Sequence, residues 1–132
     1  KSLKRRLRSR WARRCIPTGP VIPLPEYLGR LRQLVDMARA RTPEACVILW
    51  GTAPTLEKSD RPAGIALYND RLRRLAQELS VLFVDTANLI SGLDPDAAYR
   101  DQTHLNLAAT QRVASAMSAA ILEHLASCRA QR

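Results

Sequence analysis

An aspartate and a histidine stand three residues apart in the segment YRDQTHLNLAATQRVASAMSAAI, residues 99–121. This spacing lets the carboxylate of Asp101 accept a hydrogen bond from Nδ1 of His104, which leaves Nε2 free to act as a base. The simpler interpretation is that Asp101 caps a loop and His104 is a surface residue. The spacing alone favours the simpler interpretation, because Asp-x-x-His recurs often by chance.

Hydrophobic periodicity predicts the helices that must position this pair. The first helix opens at Pro25 and Glu26, and its apolar face is formed by Leu24, Leu28, Leu31, Val35 and Ala38. The second helix covers residues 64–79, and its apolar face is formed by Ile65, Tyr68, Leu72, Leu75 and Leu79. The last helix begins directly after His104, and its core face is formed by Val113, Met117, Ala120 or Ile121, and Leu125.

Two short apolar runs, CVILWG at 46–51 and VLFVD at 81–85, are typical of strands buried on both faces of a parallel sheet. We expect them to be neighbouring parallel strands, with the 64–79 helix crossing between them. A polar loop, SGLDPDAAYRDQTH, follows the second run. The 101–104 pair would then lie beyond the carboxyl ends of the strands, where reactive groups gather in open α/β sheets.

The predicted fold class is therefore α/β, with a parallel sheet in a three-layer α/β/α arrangement. Two predicted strands are fewer than the about five of a free-standing doubly wound sheet. We expect the chain to be the C-terminal half of such a domain. Since the sequence starts at Lys1 without an initiator Met, we also expect the natural protein to extend upstream.

The net charge of +9 belongs almost entirely to one segment. Residues 1–14 hold eight Lys or Arg and no acid, whereas the other 118 residues carry 13 basic and 12 acidic side chains. We divide the chain into a basic arm and Pro-rich connector, 1–23, and an α/β part, 24–132. The arm could attract phosphate, from nucleic acid or anionic lipid, or it could be a solvated helix or an excursion between elements. Trp11 is its only aromatic residue, which favours the second interpretation.

The three cysteines, Cys15, Cys46 and Cys128, are far apart and form no CxxC pair, so they do not indicate a zinc site. The positions of these cysteines do not indicate the cellular compartment of the protein. No apolar stretch of the chain approaches the roughly 18–20 residues that a membrane span needs. Metal binding and membrane insertion therefore have no support in the sequence.

The order of the segments resembles the C-terminal half of the SGNH (GDSL-type) hydrolases, over roughly residues 24–126. The matching pieces are a strand that runs into a Pro-containing segment, a Tyr-Asn helix start, a strand ending in Val-Asp, and Asp-x-x-His before the last helix. Here they are Ile48 to Pro54, Tyr68-Asn69, Val84-Asp85 and Asp101 to His104.

The resemblance implies a flavodoxin-like fold and a serine hydrolase that acts on acyl esters of small molecules or glycans. In this family His104 would be the general base and acid, and Asp101 would orient it. No metal or organic cofactor is implied. The basic arm would fall in a variable region of the family, so we expect an insertion and no nucleic-acid partner. A non-enzymatic α/β module whose arm binds nucleic acid or anionic lipid is the alternative.

The family's Gly-Asp-Ser and Gly-x-Asn-Asp segments do not occur in this chain, so we expect the nucleophilic serine upstream of it. Ser59 and Ser91 lie in loops that lack the family context. Asn69 is predicted to cap a helix or to form a hydrogen bond at the surface. Asp85 is predicted to lie in the turn at the end of a strand or to act as a cap.

The remaining polar and aromatic candidates have weaker roles. Asn106 is a candidate N-cap for the last helix, and His124 is expected to face solvent. Trp50, Gly51 and Pro54 could line a substrate cleft, although Trp50 could equally belong to the core.

Overall fold

The computed structural model describes residues 22–56 and 61–130. The basic segment 1–14, Cys15 and Ser59 lie outside these ranges, so the expectations about them stay predictions. The elements occur in the order α1 (Leu24–Arg41), β1 (Ile48–Trp50), α2 (Arg61–Glu78), β2 (Leu82–Val84), α3 (Thr86–Ile90), α4 (Pro95–Ala98) and α5 (Leu107–Ala130).

The two strands are parallel neighbours, as the sequence predicts, and α2 connects them. Leu49 lies opposite Phe83 in the register. The backbone N–H of Gly51 donates to the carbonyl of Val84 at 3.0 Å, which extends the pairing beyond the end of β1. The assigned strands are shorter than the apolar runs, but their direction and connection are confirmed.

Apolar side chains from the sheet and helices form two buried clusters, because successive strand residues point to opposite faces. The first cluster joins α1, β1 and α2 and contains Val35, Leu49, Leu72, Leu75, Ala76 and Leu79. The second joins β2 to the helices that follow it and contains Val84, Ile90, Ala98, Ala109 and Val113. The described residues thus form a helix-rich α/β unit around a two-stranded sheet. The complete three-layer sheet stays a prediction.

The predicted loop SGLDPDAAYRDQTH contains the short helix α4, so that part of the interpretation is wrong. The carboxylate of Asp94 accepts a hydrogen bond from the backbone N–H of Asp96 at 2.8 Å, and Pro95 occupies the first helical position. Proline suits this position because it has no N–H to leave unpaired. The Asp-Pro pair was a sequence signal for this helix.

The predicted core face of the last helix is correct at Val113 and wrong at Leu125, which is 43% exposed. With 3.6 residues per turn, His124 lies within about 20° of Val113 around the helix axis, whereas Leu125 lies about 120° away from it. His124 therefore shares the inner face of α5, and it is half-buried where solvent exposure was expected. Its Nε2 lies 3.6 Å from the Sγ of Cys128.

No helix within 22–56 or 61–130 has both the length and the apolar character that crossing a bilayer would require.

Candidate active site

The Asp-x-x-His segment forms a closed turn between α4 and α5. An isolated antiparallel bridge joins Tyr99 to Leu105 at its base. The backbone N–H of Arg100 donates to the carbonyl of His104 at 2.8 Å, and the N–H of Asn106 donates to the carbonyl of Ala98 at 2.9 Å. These bonds on both sides of the bridge place Asp101 and His104 on one short, closed segment, which we call the 99–105 turn.

The carboxylate of Asp101 organises the tip of this turn. Its Oδ1 accepts hydrogen bonds from the backbone N–H groups of Thr103 and His104, both at 2.8 Å. Aspartate side chains favour such local bonds to backbone donors two and three residues ahead. The capping interpretation of Asp101 is therefore correct, and it holds together with the pairing described next.

The same carboxylate contacts the imidazole of His104. Nδ1 lies 2.8 Å from Oδ2 and 3.0 Å from Oδ1 of Asp101. Because an ionised carboxylate can only accept, Nδ1 must carry the hydrogen in this arrangement. In the neutral imidazole, Nε2 is then the acceptor. The side chain of His104 is 75% exposed, so the Nε2 edge of the ring is open to an approaching group.

Hydrogen bonding lowers the pKa of Asp101 well below its usual range. The backbone N–H of Thr103 is the largest cause, followed by the imidazole and the backbone N–H of His104. All three donors favour the charged form of the carboxyl. Asp101 is therefore an anion at neutral pH, which keeps the Nδ1 hydrogen bond in place.

This depressed pKa predicts a pH dependence of stability. Because the folded-state pKa of Asp101 is below the unfolded value, its contribution is present above the unfolded pKa and lost as the pH falls through the folded one. A carbon-13 titration of the Asp101 carboxyl should show the lowered midpoint. In His104→Ala the midpoint should rise only partly, since the Thr103 donor remains. A midpoint at the ordinary aspartate value in the unaltered protein would contradict the geometry.

Asn69 has a different role from the one predicted. It was expected to cap a helix or bond at the surface, but it is buried on α2, with 6% of its surface exposed. Its Oδ1 accepts from the backbone N–H of Thr52 at 2.9 Å, and its Nδ2 donates to the carbonyl of Thr52 at 2.7 Å. One side-chain amide thus satisfies both backbone groups of a residue just beyond β1. The Tyr-Asn pair was expected to start a helix, but it lies in the middle of α2, which begins at Arg61.

The segment 51–56, which we call the β1 loop, packs against the 99–105 turn. The hydroxyl of Thr55 and the backbone N–H of Leu56 both donate to the carbonyl of Gln102 at 2.8 Å. The hydroxyl of Tyr99 donates to the carbonyl of Pro54 at 2.9 Å. No local sequence pattern marks Thr55 or Tyr99, because both act through contacts between segments about 45 residues apart.

The roles predicted for Asp85 and Asn106 are confirmed. Asp85 caps α3 by accepting from the backbone N–H of Asn88 at 3.1 Å, and it also pairs with Arg73. Asn106 caps α5, since its Oδ1 accepts from the backbone N–H of Ala109 at 2.9 Å. Asp85 therefore stabilises the helix that follows β2, and Asn106 stabilises the helix that follows the 99–105 turn.

Trp50 is 56% exposed, so the alternative that placed it in the core is wrong. Its indole N–H donates to the hydroxyl of Thr86.

Gly51 is buried against Phe83 and Asn69, and Pro54 contributes its carbonyl to the Tyr99 bond. The hydroxyl of Ser91 donates to the carbonyl of Asn88 at 2.8 Å at the end of α3.

Within the described ranges, no group of three or more His, Cys, Asp or Glu side chains is arranged to hold a metal ion.

The model of the GDSL-like lipase/acylhydrolase family matches residues 6–112. The chain belongs to this family. The match includes the β1 loop, α2, both strands and the 99–105 turn. It confirms the resemblance on which the sequence interpretation of Asp101 and His104 depends. A comparison with curated proteins finds no match.

Solved structures of the same fold include the esterase domain of the ORF1 protein from the zebrafish ZfL2-1 retrotransposon. Its TM-score is 0.67 at 20% identity, with 78% of this chain and 61% of that one covered. A candidate acylhydrolase from Bacteroides fragilis has a TM-score of 0.63 at 25% identity, with 82% and 55% covered. The acetylxylan esterase Axe2 from Geobacillus stearothermophilus has a TM-score of 0.56 at 26% identity, with 72% and 45% covered. The chain therefore spans about half to three fifths of the length of these relatives.

Further structures of Axe2 are described as catalytic mutants. They replace a serine near the start of that enzyme, an aspartate, and a histidine three positions after the aspartate.

Proposed function

We propose that this chain supplies the Asp–His pair of a serine hydrolase that cleaves acyl esters. His104 is the general base and acid, and Asp101 orients it. The observation that carries the proposal is the hydrogen bond from Nδ1 of His104 to the Asp101 carboxylate, at 2.8 Å from Oδ2. This bond directs the basic Nε2 toward solvent, where a nucleophile and substrate can approach.

The nucleophile in this proposal is a serine N-terminal to the 132 residues. Nε2 of His104 takes the serine hydroxyl proton as the oxygen attacks the ester carbonyl carbon, and Asp101 stabilises the imidazolium that forms. The imidazolium then gives this proton to the leaving alcohol oxygen as the ester bond breaks. Nε2 then takes a proton from water as the water oxygen attacks the acyl carbon, and the imidazolium returns that proton to the serine oxygen as the carboxylic acid leaves.

Two findings support these assignments. The Axe2 mutants described as catalytic place an aspartate and a histidine at the same three-residue spacing as Asp101 and His104. The chain spans 61% and 45% of the length of two of these relatives. The remaining length is sufficient for a serine, its oxyanion donors and the further strands of a three-layer sheet. By the same likeness, we propose acyl esters of small molecules or glycans as the substrate class.

The alternative of an appended arm that binds nucleic acid or anionic lipid is less well supported. The family match begins at residue 6, so most of the basic segment 1–14 falls inside the matched region. We therefore favour the interpretation that the basic segment 1–14 is part of the hydrolase domain.

The test is to compare this chain with a longer protein that restores the upstream half. The chain alone should not hydrolyse a short-chain aryl ester above the buffer rate, because it has the base and no Gly-Asp-Ser nucleophile. The longer protein should be active and should be labelled by a fluorophosphonate on its upstream serine. Enzyme-like turnover by the 132 residues alone would contradict the proposal, as would a folded longer protein that has a Gly-Asp-Ser segment but stays inactive on a panel of acyl esters.

A further inference from the structure

Among the described residues, the side chains of Asp101 and His104 bond to each other and, through the Asp101 carboxylate, to the backbone N–H groups of Thr103 and His104. The two side chains are 51% and 75% exposed, so packing against the core does not fix their positions. Their orientation depends on the backbone of the 99–105 turn, to which the Asp101 carboxylate is bonded. Whatever holds that backbone therefore sets where Nε2 points.

The carbonyl of Gln102, the residue after Asp101, is one of the points at which the β1 loop holds the turn, together with the bond from Tyr99 to Pro54. It accepts two hydrogen bonds from the β1 loop, from the Thr55 hydroxyl and the Leu56 backbone N–H, each 2.8 Å long. Thr55 is only 6% exposed, so its hydroxyl donates in a site largely shielded from water. Removing one donor would leave half of this attachment.

Asn69 holds the other end of the β1 loop. Its amide bonds to both backbone groups of Thr52, at 2.9 and 2.7 Å, in the way that a neighbouring strand would. A Cβ added at Gly51 would lie 3.4 Å from the Cγ of Asn69, which shows how closely the amide approaches the backbone. The connection from α2 to the turn thus consists of the bonds of Asn69 to Thr52, the chain from 52 to 55, and the bond of Thr55 to Gln102.

We propose that Thr55 and Asn69 are positioning residues for His104. They fix the β1 loop against α2 and, through the Gln102 carbonyl, hold the Asp101–His104 pair in a reactive orientation. This inference rests on the proposed function. Small displacements matter here, because a misplacement of about 1 Å can cost about 10²-fold in rate.

The first experiment uses the active longer protein and two substitutions at one position. Thr55→Val keeps the shape and removes the donor, whereas Thr55→Ser keeps the donor. We expect Thr55→Val to lower kcat by about 10-fold or more with a smaller change in KM, and Thr55→Ser to retain most of the activity. Val35→Ala, in the first core cluster, is the control for general destabilisation.

A second readout separates positioning from mere structure. Thr55→Val added to His104→Ala should cause no further loss of the residual activity, because Thr55 would act only through His104. Nitrogen-15 spectra of histidine-labelled protein should show the Nδ1–H tautomer of His104 in the unaltered protein and a mixture of tautomers in Thr55→Val. Asn69→Ala should also lower kcat and give a mixture of tautomers, as Thr55→Val does. It should in addition lower the free energy of unfolding.

The outcomes distinguish this inference from the function on which it rests. If His104→Ala removes activity while Thr55→Val behaves like Val35→Ala in rate and tautomer, the positioning role is wrong and the hydrolase assignment stands. If His104→Ala leaves activity intact, the assignment of the pair itself fails. Additive losses in the double variant would likewise overturn the inference.

Discussion

Replacing His104 with alanine should lower the kcat/KM of the longer protein toward a short-chain aryl ester by about 10²- to 10⁴-fold. In the proposed mechanism the imidazole takes and returns the serine proton, and its Nδ1 is already bonded to Asp101 in the folded chain. The side chain is 75% exposed, so its removal should barely change the stability of the fold. Steady-state kinetics, with circular dichroism to confirm folding, would measure both effects.

Two further variants sharpen this test. Asp101→Asn should cost as much as His104→Ala or less, because it disturbs the orientation and tautomer of the base without removing it. His124→Ala is the matched control, since His124 lies beside Cys128 near the end of α5 and is not part of the turn. If His104→Ala retained full activity, or if His124→Ala lost as much, the 101–104 pair would not be the catalytic pair.

Replacing Leu72 with alanine should lower the free energy of unfolding by about 2–5 kcal/mol. Leu72 is 3% exposed and lies in the cluster that joins α2 to Val35 of α1 and Leu49 of β1. Its truncation removes buried apolar surface and leaves a cavity at the point where the crossover helix packs on the sheet. Urea unfolding followed by far-ultraviolet circular dichroism would give the change.

Leu67→Ala is the control on the same helix, because Leu67 is 47% exposed. Its truncation should change the free energy of unfolding by no more than about 0.5 kcal/mol. Equal effects at the two positions would mean that α2 does not present Leu72 to the core, and the described packing would be wrong.

The sequence by itself determined the elements whose signals are local. A continuous apolar run ending at Gly51 was sufficient to indicate a strand of a parallel sheet. The expected burial on both faces is wrong for the described chain, because Leu49 is buried and Trp50 is exposed. The helical spacing of Leu72 and Leu75 reports which face of α2 is buried. The order of these elements then placed Asp101 and His104 beyond the strands, and the succession of motifs identified the family that the comparison confirms.

Only the tertiary structure decided how the pair is held. The spacing of Asp101 and His104 alone favoured a loop cap and a surface residue, and the pairing of the two side chains rests on the hydrogen bond between Nδ1 and the carboxylate. Asn69 and Thr55 have ordinary polar side chains, and their partners, Thr52 and Gln102, are backbone groups that carry no residue-specific signal. A bond from a side chain to a distant backbone carbonyl does not depend on the identity of the accepting residue. No pattern of residue types along the chain could therefore have shown it.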